Sequence, residues 1–398
     1  MPLSIRPKVY RLPSYSLTGD LLGFLRCGLQ YRYSRIGRLP PSRPVQLWFG
    51  EFIHGVMEEA YRRYRDLISK GEPALPPWPD DALKDIHDLI LRRLEARGLV
   101  PWDPDLKQLG LNRAEVAVQQ LGPLLFPTIA EAEVRLSGAR RLPSIPGHIQ
   151  FRVADRYEVV GVVDVLTQVQ FSDPALASNP LIRLILPQLP AAPPPEFEVI
   201  VDYKGMRRPP NRGGVRSDLW TQYQWQVLTY AGLRRRHAGA KPVVAGVLVY
   251  INELLPTRSD LDRLKKEVLA GTTDAPPPTG SADDRAIRGW NTKGPLPTLS
   301  WEYRLARAIR VVPVTADAVQ AADQEFDGVV QAIETCLGSE AHGATVLTAW
   351  TRNSDDESTC VVCDSRTYCP DYQRRYARAH GETRPRLPGV KAKPDREA

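Results

Sequence analysis

The apolar positions follow a helical period in the first third of the chain and a strand period in its middle. Up to about residue 130, apolar residues recur every three or four positions, which predicts helices at 14–33 and 46–69 and a helical insertion at 71–130. From Glu131, short apolar or alternating runs predict strands instead. The predicted strands lie at 132–136, 148–154, 157–169, 196–204, 243–251 and 311–314.

Helices and loops are predicted between and after these strands. One helical run fills 219–236 and a longer one fills 315–337. A Pro-rich segment predicts a mobile loop or flap at 172–195, and a Pro- and Gly-rich segment predicts loops at 256–300. Together the elements favour an α/β fold with a central mixed sheet of about four or five strands, flanked by helices and interrupted by insertions.

These patterns divide the chain into six parts. N-terminal helices carrying Cys27 and His54 precede the helical insertion, and a strand-bearing core, a loop-rich insertion, a C-terminal strand and helix with cysteines, and a basic tail follow it. The tail is rich in Arg, Lys and Pro, so we expect it to be disordered. The six parts are 1–70, 71–130, 131–255, 256–310, 311–373 and 374–398.

An acid and a base share one face of the strand that ends before Gly205. Alternate side chains of an extended strand point the same way, so Asp202 and Lys204 lie on one face and Tyr203 on the other. A carboxylate there can hold a divalent metal ion, and the ammonium can orient a water molecule or hold charge on a phosphate. A surface ion pair is the commoner meaning of such a pair, so its interpretation depends on neighbouring segments.

Two neighbouring segments bring further polar groups. Asp164 is the only carboxylate in the apolar run 159–169, and a lone acid is costly to bury unless it binds a cation or a partner. Gln222, Gln226 and Tyr230 recur every four residues and therefore line one face of the predicted helix. These groups and the Asp202 pair could converge on one site.

The N-terminal helices each carry one residue of interest. His54 has Glu51 and Glu58 three and four residues away, although a lone histidine is more often a core or surface residue than a ligand. Cys27, taken alone, is more often a buried free cysteine.

Three cysteines follow one another near the C-terminus. Cys360, Cys363 and Cys369 have the spacing Cys-x2-Cys-x5-Cys, with Pro370 directly after the last. With one distant cysteine they would supply four thiolates, which suit a [4Fe-4S] cluster or a zinc ion equally well by spacing alone.

The order of all these pieces resembles the core of the PD-(D/E)xK nuclease superfamily, RecB-like branch. The core motifs are Gly161-Val-Val-Asp164, Asp202-Tyr-Lys204 and Gln226-Val-Leu-Thr-Tyr230. The early cysteine, the histidine helix and the cysteine trio are similar to the iron-sulfur members, which include CRISPR-associated RecB-like exonucleases and AddB-type repair nucleases. The chain departs from the pattern little: Asp202 stands where many relatives have Glu, and Gly28 stands where Pro is common.

The resemblance implies a restriction-endonuclease-like core and a metal site. It implies that His54, Asp164, Asp202 and the backbone carbonyl of Tyr203 hold Mg²⁺ or Mn²⁺, and an imidazole ligand favours Mn²⁺. It also implies that Lys204 orients the attacking water or stabilises the phosphate.

Two further groups of residues receive roles from the same resemblance. Gln226 and Tyr230 would contact the substrate backbone and steady the metal-site residues. The [4Fe-4S] cluster becomes favoured over zinc, as a structural staple that joins the C-terminus to the first helix. Its ligands would be Cys27, Cys360, Cys363 and Cys369.

Composition agrees with a nucleic-acid partner without requiring one. The 398 residues are 42% hydrophobic, enough for a proper core, and carry a net charge of +7. Arginines follow Lys204 in a Gly- and Pro-rich segment, which predicts a flexible basic loop that binds phosphates, although solvated arginines are an equal alternative. They are Arg207, Arg208, Arg212 and Arg216.

No apolar run is long enough for a membrane helix or a signal peptide, so we expect a cytoplasmic protein without membrane contact. The five cysteines argue against a disulfide scaffold and agree with metal ligation.

The main hypothesis is a metal-dependent deoxyribonuclease, an exonuclease on single-stranded ends, in DNA repair and recombination or in CRISPR-type DNA processing. One alternative is a catalytically idle DNA-binding or scaffold subunit of a nuclease or helicase complex; the intact acid and base set counts against it. A zinc-binding regulatory protein would leave the converging acids unexplained. The sequence has no Gly-x4-Gly-Lys-Ser/Thr motif, so a helicase motor would come from a partner chain.

Overall fold

The computed structural model describes most of the chain. The described residues are 12–39, 45–72, 77–145, 154–210, 215–353, 355 and 357–376. The strand predicted at 148–154 lies almost wholly outside them, as does the tail from residue 377 onward. The chain divides into two compact units, a smaller one within 1–42, 141–157 and 326–398 and a larger one within 43–140 and 158–325.

The strands of the larger unit form a mixed sheet. β3 pairs antiparallel with β4, β4 parallel with β5, and β5 antiparallel with β6, while β2 pairs with the other edge of β3. The predicted α/β class with a restriction-endonuclease-like mixed sheet between helices is thereby confirmed. These strands are β2 (Ile129–Arg141), β3 (Arg156–Gln170), β4 (Glu196–Lys204), β5 (Val243–Tyr250) and β6 (Ile309–Pro313), and the short strand β1 (Ser14–Ser16) belongs to the smaller unit.

Helices account for most of the remaining described residues. The longest are amphipathic and pack one face on the sheet or on a neighbouring helix. The α-helices are α1 (Leu22–Arg26), α2 (Gly28–Tyr31), α3 (Val45–Ser69), α4 (Asp80–Ala96), α5 (Pro104–Val116), α6 (Gly122–Leu125), α7 (Pro174–Ser178), α8 (Pro180–Ile185), α9 (Val215–Arg234), α10 (Ile251–Leu254), α11 (Arg258–Ala270), α12 (Ala282–Gly289), α13 (Trp301–Ala308), α14 (Ala316–Ala341), α15 (Val346–Ala349), α16 (Glu357–Val361) and α17 (Pro370–Arg375). Short π-helical segments span Leu17–Leu21, Arg32–Ile36 and Ala117–Leu121, and 3₁₀ turns span Phe126–Thr128, Leu186–Gln188 and Arg366–Tyr368.

The central strands of the sheet are buried on both faces. Seven consecutive residues of β4, from Phe197 to Tyr203, are buried, and β5 is buried over nearly its whole length. A strand covered on both faces favours a continuous apolar run, which Val199–Val201 form within β4. Asp202 follows this run at the buried end of the strand, which also contains the buried, ion-paired Glu198.

The segment 172–195 is not the loop or flap that its prolines suggested. Asp173 and Asn179 cap the short helices α7 and α8, in each of which proline occupies the first turn. Leu181, Ile182 and Ile185 then pack into the main core. Proline at a helix start favours the helix, so proline content alone misled the prediction.

The segment 256–300, also predicted to be loops, contains α11 and α12. Thr257 and Asp260 form a reciprocal capping box at the start of α11, a signal present in the sequence. The two helices share an apolar cluster that includes Leu264, Ile287 and Trp290. Trp290 is therefore a core residue of this segment.

Candidate active site

Strands β3 and β4 bring Asp164 to the end of β4. The antiparallel register pairs Val165 with Val201, so Asp164 lies beside the last residues of β4. Its Oδ2 accepts a hydrogen bond of 2.8 Å from the backbone N–H of Tyr203. The sheet itself therefore fixes the position of this carboxylate between the two acidic strands.

Asp202 and Lys204 form a buried pair, as their alternation in the strand predicts. Lys204 Nζ lies 2.5 Å from Asp202 Oδ2. The side-chain amide of Gln226 bonds both: its Nε2 donates to Asp202 Oδ1 at 3.1 Å, and its Oε1 accepts from Lys204 Nζ at 3.0 Å. Helix α9 thus holds the acid and the base at a fixed separation.

Two tyrosines of α9 complete this side of the site. The Lys204 ammonium lies 4.2 Å from the centre of the Tyr223 ring, a cation-π contact that the sequence did not suggest. The Tyr230 hydroxyl is 3.4 Å from Gln226 Nε2, a long hydrogen bond. A side chain at Gly161 would place its Cβ 2.3 Å from the Tyr230 ring, so only glycine lets β3 and α9 approach here.

Helix α3 places His54 against the same two strands. His54 Nε2 lies 2.9 Å from the carbonyl oxygen of Tyr203, and Nδ1 lies 3.4 Å from Asp164 Oδ2. The carbonyl only accepts hydrogen bonds, so Nε2 carries a proton in this arrangement. His54, the Tyr203 carbonyl and Asp164 are three of the four groups that the family resemblance assigned to one metal site; Asp202 is the fourth.

The charges of these groups are strongly coupled to one another. Burial opposes the charge on His54, but the carboxylates of Asp164 and Asp202 outweigh it and raise the pKa of His54 to about 9. Burial and the nearby Asp164 raise the pKa of Asp202, although Lys204 acts in the opposite direction. Burial likewise opposes ionisation of Asp164, but His54 outweighs it and lowers the pKa of Asp164.

A further carboxylate, which the sequence did not single out, joins this group. Donor atoms of His54, Glu133 and Asp164 all lie within 4.8 Å of one another. The side chain of Glu133 is exposed, but partial desolvation and the charges of Asp164 and Glu58 raise its pKa to about 7. Glu133 has φ of +53° within β2, a strained conformation for a residue with a side chain. Strain and a raised carboxyl pKa in one residue are typical of a functional site.

The residues present fit a divalent metal ion. They offer carboxylate oxygens, one imidazole and a backbone carbonyl, which is a donor set for Mg²⁺ or Mn²⁺. Asp202 Oδ2 is buried, lies 2.5 Å from the Lys204 ammonium and has no other hydrogen-bond partner among the described residues, so a metal ion there would share this oxygen with Lys204. A bound cation would also lower the raised pKa values of Asp202 and Glu133.

With this geometry in place, the comparison with known families gives one match. The sequence model of the PD-(D/E)XK nuclease superfamily matches residues 19–173. The match supports this superfamily. It spans less than half of the chain, contains His54, Glu133 and Asp164, and ends before Asp202. No curated protein matches the sequence.

The match to this family supports a metal-dependent nuclease activity. A nuclease domain of this kind implies DNA as the substrate. Nucleases of this superfamily use Mg²⁺ or Mn²⁺, in agreement with the donor set around His54 and Asp164. Among the described helices, none is both long enough and apolar enough to cross a membrane.

Of the arginines after β4, the two whose side chains the structure describes do not belong to a flexible, exposed basic loop. Arg207 is buried and forms two hydrogen bonds to Glu267, at 2.6 and 3.0 Å. Arg208 is also buried and donates to Asp274 at 2.8 Å and to the carbonyl oxygen of Ile309 at 2.7 Å. Both arginines are buried in ion pairs that hold the segment after β4 to neighbouring elements, which differs from the flexible loop that the sequence predicted.

The other two arginines lie elsewhere. Arg212 is outside the described residues. Arg216 belongs to the first turn of α9, but its side chain is outside them.

The four cysteines assigned to a cluster line one small cavity of the smaller unit. The sequence predicted Cys27 inside a helix. In the structure it is instead an extended residue between α1 and α2. Gly28 packs against Thr351, whose Oγ1 would lie 2.5 Å from an added Cβ, so a larger residue there would collide with this segment. The cavity cysteines are Cys27, Cys360, Cys363 and Cys369.

The thiols influence one another in this cavity. Burial and the neighbouring cysteines raise the pKa of Cys363 to about 11, since several thiolates are unfavourable together without a cation. Among the described residues, no three of these sulfur atoms lie within 4.8 Å of one another. The fifth cysteine, Cys336, is buried in α14 and does not line the cavity.

Proposed function

We propose that this chain is a metal-dependent DNA exonuclease that hydrolyses phosphodiester bonds at single-stranded ends. One observation carries the proposal: the Gln226 amide bonds both Asp202 and Lys204, beside Asp164 and His54. A buried acid and base held together in this way cost folding energy, so a chemical use accounts for them better than stability does.

The metal would be held by His54, Asp164, Asp202 and the backbone carbonyl of Tyr203, with Glu133 as a further carboxylate. When bound, Mg²⁺ or Mn²⁺ activates a water molecule and stabilises charge on the phosphate. The imidazole of His54 favours Mn²⁺, because nitrogen is a softer donor than oxygen.

The remaining residues position the reacting groups. Lys204 holds negative charge on the phosphate or orients the attacking water. Gln226 holds the Lys204 ammonium and the Asp202 carboxylate in place through its two hydrogen bonds. The Tyr223 ring stabilises the ammonium through a cation-π contact. Tyr230 steadies Gln226 through its long hydrogen bond. These contacts preorganise the charge that the reaction needs.

We further propose that Cys27, Cys360, Cys363 and Cys369 bind a [4Fe-4S] cluster. The four cysteines line one cavity, which supports a shared metal site, and the resemblance of the cysteine trio to the iron-sulfur members favours the cluster over zinc. The cluster would be a structural staple between the α1–α2 break and the C-terminal helices.

For the biological setting we propose DNA repair and recombination or CRISPR-type DNA processing, with a helicase or repair protein as partner. The second candidate is a catalytically idle DNA-binding subunit of such a complex. The intact and hydrogen-bonded acid and base favour the active enzyme.

Linear and circular single-stranded DNA of the same sequence test the exonuclease assignment. We expect the linear substrate to be degraded with Mn²⁺ while the circle persists. Equal cleavage of both substrates would contradict an exonuclease and leave an endonuclease. Binding of the linear strand without cleavage under any metal condition would favour the idle subunit.

A further inference from the structure

A cavity of about 540 Å³ opens directly onto the proposed metal site. His54, Glu133 and Asp164 lie along its lining, on the side formed by the sheet and α3. The opposite wall belongs to α4, which contributes Arg93, and to Arg97 directly after it. The mechanism proposed above gives these two arginines no role.

The helical period explains why this wall presents both arginines to the cavity. Arg93 and Arg97 are four residues apart and therefore lie on one face, together with Ile90 and Leu94. Gly55 of α3 allows the two helices to meet closely, because an added Cβ would lie 2.9 Å from Ile90. The cavity is thus a groove between two packed helices, with the metal residues inside it.

Arg93 and Arg97 form weak ion pairs with carboxylates, which a phosphate group could replace. Arg97 pairs with Glu51 at 2.9 Å, and Arg93 lies 3.6 Å from Glu59. About half of each arginine side chain is exposed, and ion pairs of this kind contribute roughly 0 to 1 kcal/mol. A phosphate, which an arginine binds through two parallel hydrogen bonds, would replace these carboxylates readily.

The same groove exposes apolar surface. Leu47 and Val162 line it and are 41% and 45% exposed, high values for side chains beside a buried site. A strand of nucleic acid presents phosphates on one side and sugars and bases on the other. The groove therefore combines the two kinds of surface that such a strand requires.

We propose that this groove binds the nucleotide next to the phosphate being cut, with Arg93 and Arg97 on the strand's phosphates and Leu47 and Val162 on its sugar and base. The inference rests on the proposed nuclease function and names the part of the chain that holds the substrate. The helical segment that contains α4 is then a substrate-binding element, while Glu133 and Asp164 of the groove serve the metal.

The variants Arg93→Ala, Arg97→Ala and their combination test this directly. The probe is a fluorescent single-stranded oligonucleotide, and binding is measured by anisotropy at several salt concentrations with chelator present. We expect the double variant to bind roughly 10- to 100-fold more weakly, and the slope of log affinity against log salt to shrink by about 1 for each phosphate that is no longer bound. Mn²⁺ binding, measured by calorimetry without DNA, should stay unchanged.

Arg92→Ala is the matched control. Arg92 is exposed on the same helix, carries the same charge and does not line the groove. We expect its affinity and salt slope to match the wild type. If Arg92→Ala weakens binding as much as Arg97→Ala, only general charge attraction is at work and the proposed groove is wrong.

A steric variant keeps the test independent of charge. An added Cβ at Gly50, which also lines the groove, meets no atom within 4 Å. Gly50→Ala should therefore leave binding intact, whereas Gly50→Phe should fill the groove and abolish it while Mn²⁺ still binds. If the wild type cleaves DNA but Gly50→Phe and the double arginine variant cleave it equally well, the groove is refuted and the nuclease stands. If the wild type neither binds nor cleaves DNA, both proposals fall.

Discussion

Lys204 Nζ and Asp202 Oδ2 lie 2.5 Å apart at the buried end of β4, two residues from each other in sequence. Burial alone would lower the pKa of Lys204, but the Asp202 carboxylate outweighs it and raises that pKa, so the ammonium stays charged. A lysine kept charged inside the protein is suited to stabilising a phosphate.

Replacing Lys204 by Ala should remove most cleavage while metal and DNA binding persist. Loss of one preorganised charge donor typically costs about 10² to 10³ in rate. Single-turnover cleavage of labelled DNA measures the rate, and calorimetry with Mn²⁺ measures the binding. Cleavage near the wild-type rate would show that Lys204 is a bystander.

Replacing Gln226 by Ala should impair both stability and rate. The change leaves Asp202 Oδ1 and the Lys204 ammonium each without one hydrogen-bond partner, which costs roughly 1 to 3 kcal/mol. Thermal melting and the cleavage rate should both fall. Thr221→Ala, at an exposed position of α9, is the control and should change neither; equal effects of the two variants would argue against the bridging role.

Metal binding should release a proton from His54. With its pKa raised to about 9, His54 is protonated at neutral pH in the metal-free protein and must lose that proton to become a ligand. The apparent Mn²⁺ affinity should therefore rise with pH, by up to about tenfold per unit, and level off above about pH 9. Calorimetry from pH 6 to 8.5 measures this slope.

His54→Gln is the control for the pH dependence, because glutamine does not titrate in this range. The variant should bind Mn²⁺ more weakly and with a flatter pH profile. A wild-type affinity that does not change with pH would exclude His54 as a ligand.

Replacing Cys363 by Ala should remove the iron-sulfur cluster. The anaerobically purified variant should lose its brown colour and melt at a lower temperature, since metal-site binding energy contributes to folding. Cys336→Ala, which removes the buried cysteine of α14, should keep the colour. Unchanged colour and melting of Cys363→Ala would refute the staple.

The sequence predicted the parts of the site that depend on local periodicity. Asp202 and Lys204 share a strand face and Gln226 lies on one helix face, so strand and helix geometry were sufficient to group them. Glu133 escaped notice because its contribution depends on a positive φ within β2, which no pattern of residue types reveals. Its alternation with Glu131 was the only available signal.

The arginines after β4 show a second limit of the sequence. A Gly- and Pro-rich segment with several arginines resembles an exposed basic loop. Arg207 and Arg208 are instead buried and form hydrogen bonds to the carboxylates of Glu267 and Asp274, which lie about sixty residues further along the chain. Partners at that distance follow from tertiary packing, which local composition does not encode.

Cleavage of end-labelled single-stranded and double-stranded DNA by the anaerobically purified chain tests the central claim most directly. The assay compares Mn²⁺, Mg²⁺ and chelator, with Asp202→Asn beside the wild type. The account predicts metal-dependent degradation, fastest on single strands with Mn²⁺, that disappears with chelator and in the variant. Metal-dependent cleavage that Asp202→Asn retains, or an absence of cleavage with every metal while DNA remains bound, would contradict it.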